Sequence, residues 1–314
     1  MMSLKKVKRL NKLNVALVSL VFSLFGQSLS AGELTIDAFS PGKEISPNLV
    51  GVFFEDLNYA ADGGLYAELV QNRSFEYTPA DSSSWNALSF WSVEKTGNGD
   101  GSIAIGNYRP VHKNNPNYAL LTINRPGDGV GLANTGYDGV PVIVGAEYNF
   151  SFWAYQPFMN EKWGGNSSIV GKPMPVTARL VSKDGKVLAE AKLEVAGRDW
   201  TKYSAVLKSA ATDNQARLVL LGHAKGGLAL DMISLMPKDT FMGRPNGLRK
   251  DLAQLIADIK PKFMRFPGGC LVHGSGIHQY YDWKNTVGPV EQRIGGRNLW
   301  GYGQTMGLGY FEFF

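Results

Sequence analysis

The stretch KFMRFPGGCLVHG, residues 262–274, joins a short apolar run to an arginine, a proline, two glycines, the chain's one cysteine and a histidine. Gly268 and Gly269 let the backbone turn sharply or let another group come close, and Pro267 fixes one dihedral on the way into the bend. The pattern predicts a buried strand, KFMRF, that finishes either in a plain turn or at the rim of a site. Just upstream, PNGLRKDLAQLIADIKP sets Leu248, Leu252, Leu255, Ile256 and Ile259 at helical period on one face, with Pro261 as the stop. Near the other end of the chain, ELTIDAF and LVGVFFED read as two further strands. The second is a continuous apolar run that breaks into Glu55 and Asp56, which suits a strand buried on both faces of a parallel sheet. GGLYAELVQNRSF follows, with Leu65, Leu69 and Val70 at helical spacing after Gly63 and Gly64. Strands alternating with helices predict a β/α layout.

Between these two regions the period changes. From about Thr78 to Pro237, turn residues recur every 8 to 12 positions between short alternating segments: SIAIGNY, YALLTIN, YNFSFWAY, VTARLVS, WTKYSAVLK, ARLVLLG and LALDMISLMP. Evenly spaced short strands with polar turns predict an antiparallel sandwich. The expected organisation is thus a β/α domain in two pieces, residues 31–77 and 239–314, interrupted by an all-β module over residues 78–238.

The chain has 314 residues, 44% of them hydrophobic, enough for about two domains with cores of their own. Residues 1–30 stand apart. Lys5, Lys6, Lys8, Arg9 and Lys12 precede the apolar run Val15 to Phe25, and small residues follow around Ser28 and Ser30. This is the pattern of a cleavable signal peptide, and the run is short of the ~20 residues a spanning helix needs. Subtracting its five cations from the chain's net +5 leaves zero, so the folded part carries no basic excess for a nucleic-acid partner. Cys270 is alone, which excludes an internal disulfide in an exported chain and leaves no cysteine at the signal junction to accept a lipid. A secreted or periplasmic protein, free of the membrane after cleavage, is expected.

In barrels of β/α units the carboxyl ends of the strands build the active site. Two runs here end that way, at Glu55-Asp56 and at Pro267-Gly268-Gly269-Cys270, so Glu55 and Cys270 are placed on a common rim. A cap for the following segment and a small packed hydrophobe are the plainer readings of these residues. Among other carboxylates, Glu68 falls in the predicted helix and Glu291 beside Arg293 in a loop, as solvated charges or local ion pairs; Glu76, Asp282 and Glu312 receive no role. Cys270 and His273 form C-x-x-H without the further ligands zinc requires, and His112, His223 and His278 are scattered, so no metal is expected. GDGVGLANTG lacks the strand, helix and acidic residue of a dinucleotide site, and no cofactor is expected. Of the sandwich tryptophans, Trp163 lies in a polar loop and is expected at the surface, whereas Trp153 and Trp200 sit inside strand patterns and are expected to be buried.

The stretches GVFFEDLNYAADGGLYAELVQNRSFE, FMGRPNGLRKDLAQLIADIKPKFMRFPGGCLVHG and YYDWKNTVGPVEQRIGGRNLWGYGQTMGLGYFEFF resemble the amino-terminal part of the family 51 α-L-arabinofuranosidases. RFPGGC, WKNTVGPVEQR and NLWGY are the specific elements, and the match runs nearly throughout residues 33–77 and 239–314. The intervening segment looks like the carbohydrate-binding sandwich, a galactose-binding-like jelly roll, that one branch of the family carries inside its catalytic domain. The resemblance implies a (β/α)8 TIM barrel that removes terminal arabinofuranosyl residues from arabinoxylan or arabinan with retention of configuration. It also assigns sugar contacts: Glu55 would accept hydrogen bonds from sugar hydroxyls, Cys270 would line the pocket floor and Trp300 its apolar wall.

Retaining hydrolysis uses two carboxyl groups about 5–5.5 Å apart. In the family that the chain resembles, the acid/base glutamate follows an Asn at the end of the fourth strand and the nucleophilic glutamate lies at the end of the seventh. The chain reaches Phe314 after the second or third strand, and its one Asn-Glu pair, Asn160-Glu161, falls in a turn-like stretch with no apolar strand ahead of it. The two β/α pieces also amount to about half of the ~250 residues that eight units take. The expectation is an incomplete barrel with neither catalytic glutamate, inactive alone; a non-catalytic carbohydrate-binding protein is the alternative.

Overall fold

The computed structural model describes residues 34–37, 39, 42–157 and 172–314. The signal peptide, Asn160-Glu161 and Trp163 lie outside them. Residues up to Ser46 and residues from Pro47 onward form separate units. In the first, ELTIDAF forms no strand over its described residues: Leu34, Ile36 and Phe39 are exposed, so its alternation finds no sheet to bury it.

The second unit is dominated by antiparallel strands. One sheet runs β10 (Thr201–Lys208), β7 (Glu147–Tyr155), β12 (Gly226–Pro237), β4 (Tyr118–Arg125), β3 (Asp100–Gly106). The other runs β2 (Trp91–Thr96), β5 (Gly129–Asn134), β11 (Asp213–Gly222), β8 (Met174–Val181), β9 (Val187–Val195), with β6 (Val140–Val142) also on β11. Period-2 alternation sends Leu121 and Ile123, Phe150 and Phe152, and Leu230 inward from the first sheet. They meet Val130 and Leu132, Leu218 and Leu220, and Val176, Ala178 and Leu180 from the second in one core. Phe150 and Phe152 are essentially inaccessible, and burying each such side chain stabilises by about 1.5–3 kcal/mol. All seven predicted segments are strands of this sandwich.

The β/α reading is realised in part. β1 (Val52–Phe53) and β13 (Met264–Arg265) pair in parallel, Val52 opposite Met264 and Phe53 opposite Arg265. They form a two-stranded sheet rather than the interior of a larger one. Burial on both faces is therefore not observed: Phe53 is 54% exposed and Phe263 53%. The predicted helix before β13 forms as α1 (Lys250–Asp258). Leu248, Leu252 and Ile256 pack into a second, smaller core with Leu65, Tyr66, Met236 and Leu308, whereas Leu255 and Ile259 point outward. Of the five apolar positions expected on one face, three are packed and two are exposed.

GGLYAELVQNRSF is not a helix. Its backbone groups bond across the molecule instead: the Ala67 N–H donates to Gly247 O at 3.1 Å, the Leu69 N–H to Leu235 O at 3.0 Å, and Leu65 O accepts from the Arg249 N–H at 2.8 Å. The segment crosses from α1 to the edge of the sandwich and is buried on every side. Glu68, expected as a solvated charge, is 2% exposed. Its Oε1 accepts from the Val70 and Leu235 N–H groups at 3.0 and 2.8 Å, and its Oε2 from Ser234 Oγ at 2.5 Å and Arg73 Nη1 at 3.5 Å. Arg293 pairs with Glu312 through two bonds of 2.9 and 2.8 Å, both side chains buried. The expected neighbour, Glu291, is not its partner in that pair.

Candidate active site at the strand ends

β1 and β13 end side by side because parallel pairing puts their carboxyl ends at the same edge. After β1 comes Glu55. After β13 the chain passes Pro267, Gly268 and Gly269 into a single helical turn, α2 (Cys270–His273). Glu55 Oε1 accepts from the Gly269 N–H at 2.9 Å and from the Leu271 N–H at 2.8 Å. The two donors flank Cys270, so the expected juxtaposition of Glu55 and Cys270 is present, held by the backbone rather than by the thiol. Gly268 makes it possible: at φ +155 it presses against Glu55, and a Cβ there would lie 2.5 Å from Glu55 Cγ. Of the two readings of the double glycine, a sharp turn or a close approach, Gly268 makes the close approach. Cys270 itself is exposed.

Trp300 lies between β14 (Gly296–Arg297) and β15 (Gly303–Gln304), an antiparallel hairpin, and is 38% exposed. The hairpin is tied to the residue after Glu55. Tyr302 Oη donates to Asp56 O at 2.9 Å and accepts from the Tyr59 N–H at 3.1 Å, and Gln304 Nε2 donates to Asp56 Oδ2 at 2.6 Å. Asp56 Oδ1 also accepts from the Ala61 N–H at 2.9 Å, which closes the turn after β1. Tyr59 and Tyr302 stack at 4.1 Å. Asp56 thus connects the Glu55 strand with the Trp300 hairpin, a role sequence reasoning missed; only its position beside Glu55 at a strand end pointed to it.

Burial pushes the Asp56 carboxyl up to about 6, with nearby Asp62 adding repulsion, against the hydrogen bonds that favour its charged form. A carboxyl raised in the folded state holds its proton there after the unfolded chain has released it. Its stabilising contribution is complete at low pH and is lost as pH rises from about 4 to about 6. At about 1.4 kcal/mol per unit the loss is at most about 3 kcal/mol. Asp56→Asn removes it, so urea titrations at pH 4 and pH 7 should give a smaller pH difference for the variant than for the parent. An equal difference in the two proteins contradicts the assignment.

Trp153 and Trp200, expected in the interior, are half-buried. Both lie on the outer side of the first sheet or at its end, where Trp200 packs edge-on against Tyr155 at 4.6 Å. Among the described residues no group of three or more His, Cys, Asp or Glu side chains is arranged to hold a metal, and no helix is long and apolar enough to cross a membrane.

Residues 255–314 match the family model of the Alpha-L-arabinofuranosidase 1 domain. An extracellular exo-α-L-arabinofuranosidase of Streptomyces chartreusis is 41% identical over 293 residues, which is 90% of this chain and 32% of that protein. Alpha-L-arabinofuranosidase 1 of Arabidopsis thaliana is 35% identical over 297 residues, 90% of this chain and 40% of the relative. Among solved structures, the arabinose-bound MgGH51 α-L-arabinofuranosidase superposes with a TM-score of 0.71 at 31% identity, covering 84% of this chain and 41% of the other. The chain therefore spans about a third to two-fifths of the length of these proteins. By sequence over nine-tenths of its length, and by fold, this chain is a relative of the family 51 α-L-arabinofuranosidases.

Proposed function

We propose that the chain is part of a secreted, retaining α-L-arabinofuranosidase that removes terminal arabinofuranosyl residues from arabinoxylan or arabinan. The observation that carries this reading is the Glu55 carboxylate held by the amides on either side of Cys270. Two N–H donors fix Oε1, which leaves Oε2 to accept from sugar hydroxyls, and a charged acceptor makes stronger hydrogen bonds than a neutral one. Cys270 at the pocket floor and Trp300 at its apolar wall complete the proposed sugar contacts. Residues 31–77 and 239–314 are the proposed barrel portion and residues 78–238 the proposed carbohydrate-binding sandwich.

In this reading both catalytic glutamates belong to a part of the barrel other than these residues, so the chain orients a sugar without cleaving it. The open faces at Phe53 and Phe263, and relatives two to three times as long, support an incomplete barrel. A chromogenic α-L-arabinofuranoside should give no turnover with residues 31–314. Clear turnover that disappears in Glu55→Ala refutes the inactive-fragment reading. Retention on an arabinoxylan affinity gel without turnover is the further result expected of a sugar-binding portion.

A further inference from the structure

Between the sandwich and the Trp300 hairpin lies a cavity of about 240 Å³. Three stretches far apart in sequence meet there: residues 72–81, Asn114 and Asn115, and residues 295–305. Its walls mix apolar surface with polar groups that are already fixed. Glu76 accepts from the Asn117 N–H at 2.8 Å and from Asn117 Nδ2 at 2.6 Å, and Asp81 Oδ2 accepts from the Thr78 N–H at 2.8 Å. Asn114 donates its side-chain amide to Gln292 O at 2.6 Å, and Asn115 donates to Glu291 O and Arg293 O at 2.9 and 3.0 Å. These bonds engage the amide donors and leave carboxylate and carbonyl acceptors, with exposed Arg297 as a donor among the lining residues.

An acceptor-rich, preorganised pocket suits a ligand with several hydroxyl donors. Its volume is just below the ~300 Å³ at which drug-sized sites begin, so it fits one sugar ring rather than an oligomer. Burial pushes the Glu76 carboxyl up to about 7 against its Asn117 hydrogen bonds, and Asp81 and Arg297 put one charge of each sign in the lining, which suits a neutral ligand. Gln304 lines this cavity while donating to Asp56, so the pocket lies one side chain from the Glu55 strand end.

We propose that this cavity is a second saccharide site, taking one neutral pentose unit of the polymer whose arabinosyl branch is received at Glu55. It rests on the proposed function for the identity of the sugar. The test is ¹⁵N–¹H NMR of the 314-residue chain, titrated separately with methyl β-D-xylopyranoside, methyl α-L-arabinofuranoside and methylammonium. Saturable shifts of the Gly295, Gly296 and Gly303 amides with a glycoside are expected. Gly296 lines the cavity and an added Cβ there meets nothing within 4 Å, so Gly296→Phe adds a ring at the cavity wall without a backbone clash. It should weaken binding at least about tenfold, while Asn114→Ala weakens it about three- to tenfold by removing one wall group. Glu55→Gln should leave these shifts unchanged.

No saturable shift at those amides overturns the proposal. So do shifts produced by methylammonium alone, and shifts that survive Gly296→Phe but vanish in Glu55→Gln. In the last case sugar binding at Glu55 stands and the second site falls. Shifts at these glycines with none at Gly269 or Leu271 uphold the second site and refute sugar binding at Glu55. If Gly296→Phe fails to fold by circular dichroism, the Asn114→Ala affinity decides.

Discussion

Replacing Glu68 by alanine should destabilise the chain by about 3–5 kcal/mol, a large part of the ~5–15 kcal/mol that holds a typical domain together. The carboxylate is buried between the two cores and collects four donors: two backbone N–H groups, the Ser234 hydroxyl and Arg73. Burial raises its pKa, and Arg73 and the hydrogen bonds pull the other way. Truncation leaves Arg73, itself 3% exposed, with Tyr66 Oη at 2.9 Å as its remaining bonded partner, and it orphans the Val70 and Leu235 N–H groups. Removing one member of a buried pair costs more than the pair contributes, because the other charge stays in the interior. Glu68→Ala together with Arg73→Met should therefore recover part of the loss. Urea denaturation at neutral pH measures all three proteins, and a loss below about 1 kcal/mol for Glu68→Ala contradicts this account.

The same residue shows where sequence pattern stops being informative. Leu65, Leu69 and Val70 have helical spacing, and Glu68 between them looks like the polar side of an amphipathic helix. Periodicity reports which residues share a face, but only if one face meets water. Here both sides of the segment are covered, by α1 and by β12, and the polar residue is satisfied inside. The sandwich strands were legible because their outer faces do alternate with their inner ones, as in YNFSFWAY. β2, β5, β6 and β9 were not among the segments named, and in β5 the reason is plain: GDGVGLAN carries glycines where a strand pattern needs side chains. Gly131 is there because Leu220 O would lie 1.8 Å from any Cβ at that position, a constraint set by the partner strand.

At the candidate site, the strand ends were readable and their connections were not. Glu55 and Cys270 follow from two apolar runs that break into polar or bend-forming residues, a local signal. Asp56 bonds to Tyr302 and Gln304, which are 246 and 248 residues away in the chain. No spacing rule reaches that far, and the sandwich between them dilutes any local pattern. Depth of burial was likewise invisible: Trp200 has the strand context of a core residue, yet it closes the end of a sheet with one edge at the surface.

If Glu55 receives a sugar as proposed, Gly268→Ala should weaken that binding at least about tenfold while leaving the sandwich intact. The new methyl would stand 2.5 Å from Glu55 Cγ, 2.6 Å from Oε1 and 2.7 Å from Cδ, all inside van der Waals contact, at a φ of +155 that alanine rarely adopts. The backbone strain costs about 1–3 kcal/mol, confined to the β13 end. The side chain has a cheaper escape: Glu55 swings away and gives up the Gly269 and Leu271 N–H groups. Each is a hydrogen bond to a charged group, worth about 1.5–3 kcal/mol, so losing the fixed carboxylate should reduce affinity for methyl α-L-arabinofuranoside by at least about tenfold. The Gly269 and Leu271 amide resonances should move even without sugar. Cys270→Ala is the counterpart: it removes the thiol between the two donors but not the donors themselves, and should keep those resonances close to the parent and the affinity within about threefold, less than one hydrogen bond. If Gly268→Ala binds as the parent does, the glycine is only a turn residue and Glu55 is not held by it. If Cys270→Ala loses as much affinity as Gly268→Ala, the thiol rather than the backbone organises the site. The pairing of these two variants separates a carboxylate positioned by amides from one positioned by a neighbouring side chain, which is the physical distinction on which the proposed sugar recognition at this strand end depends.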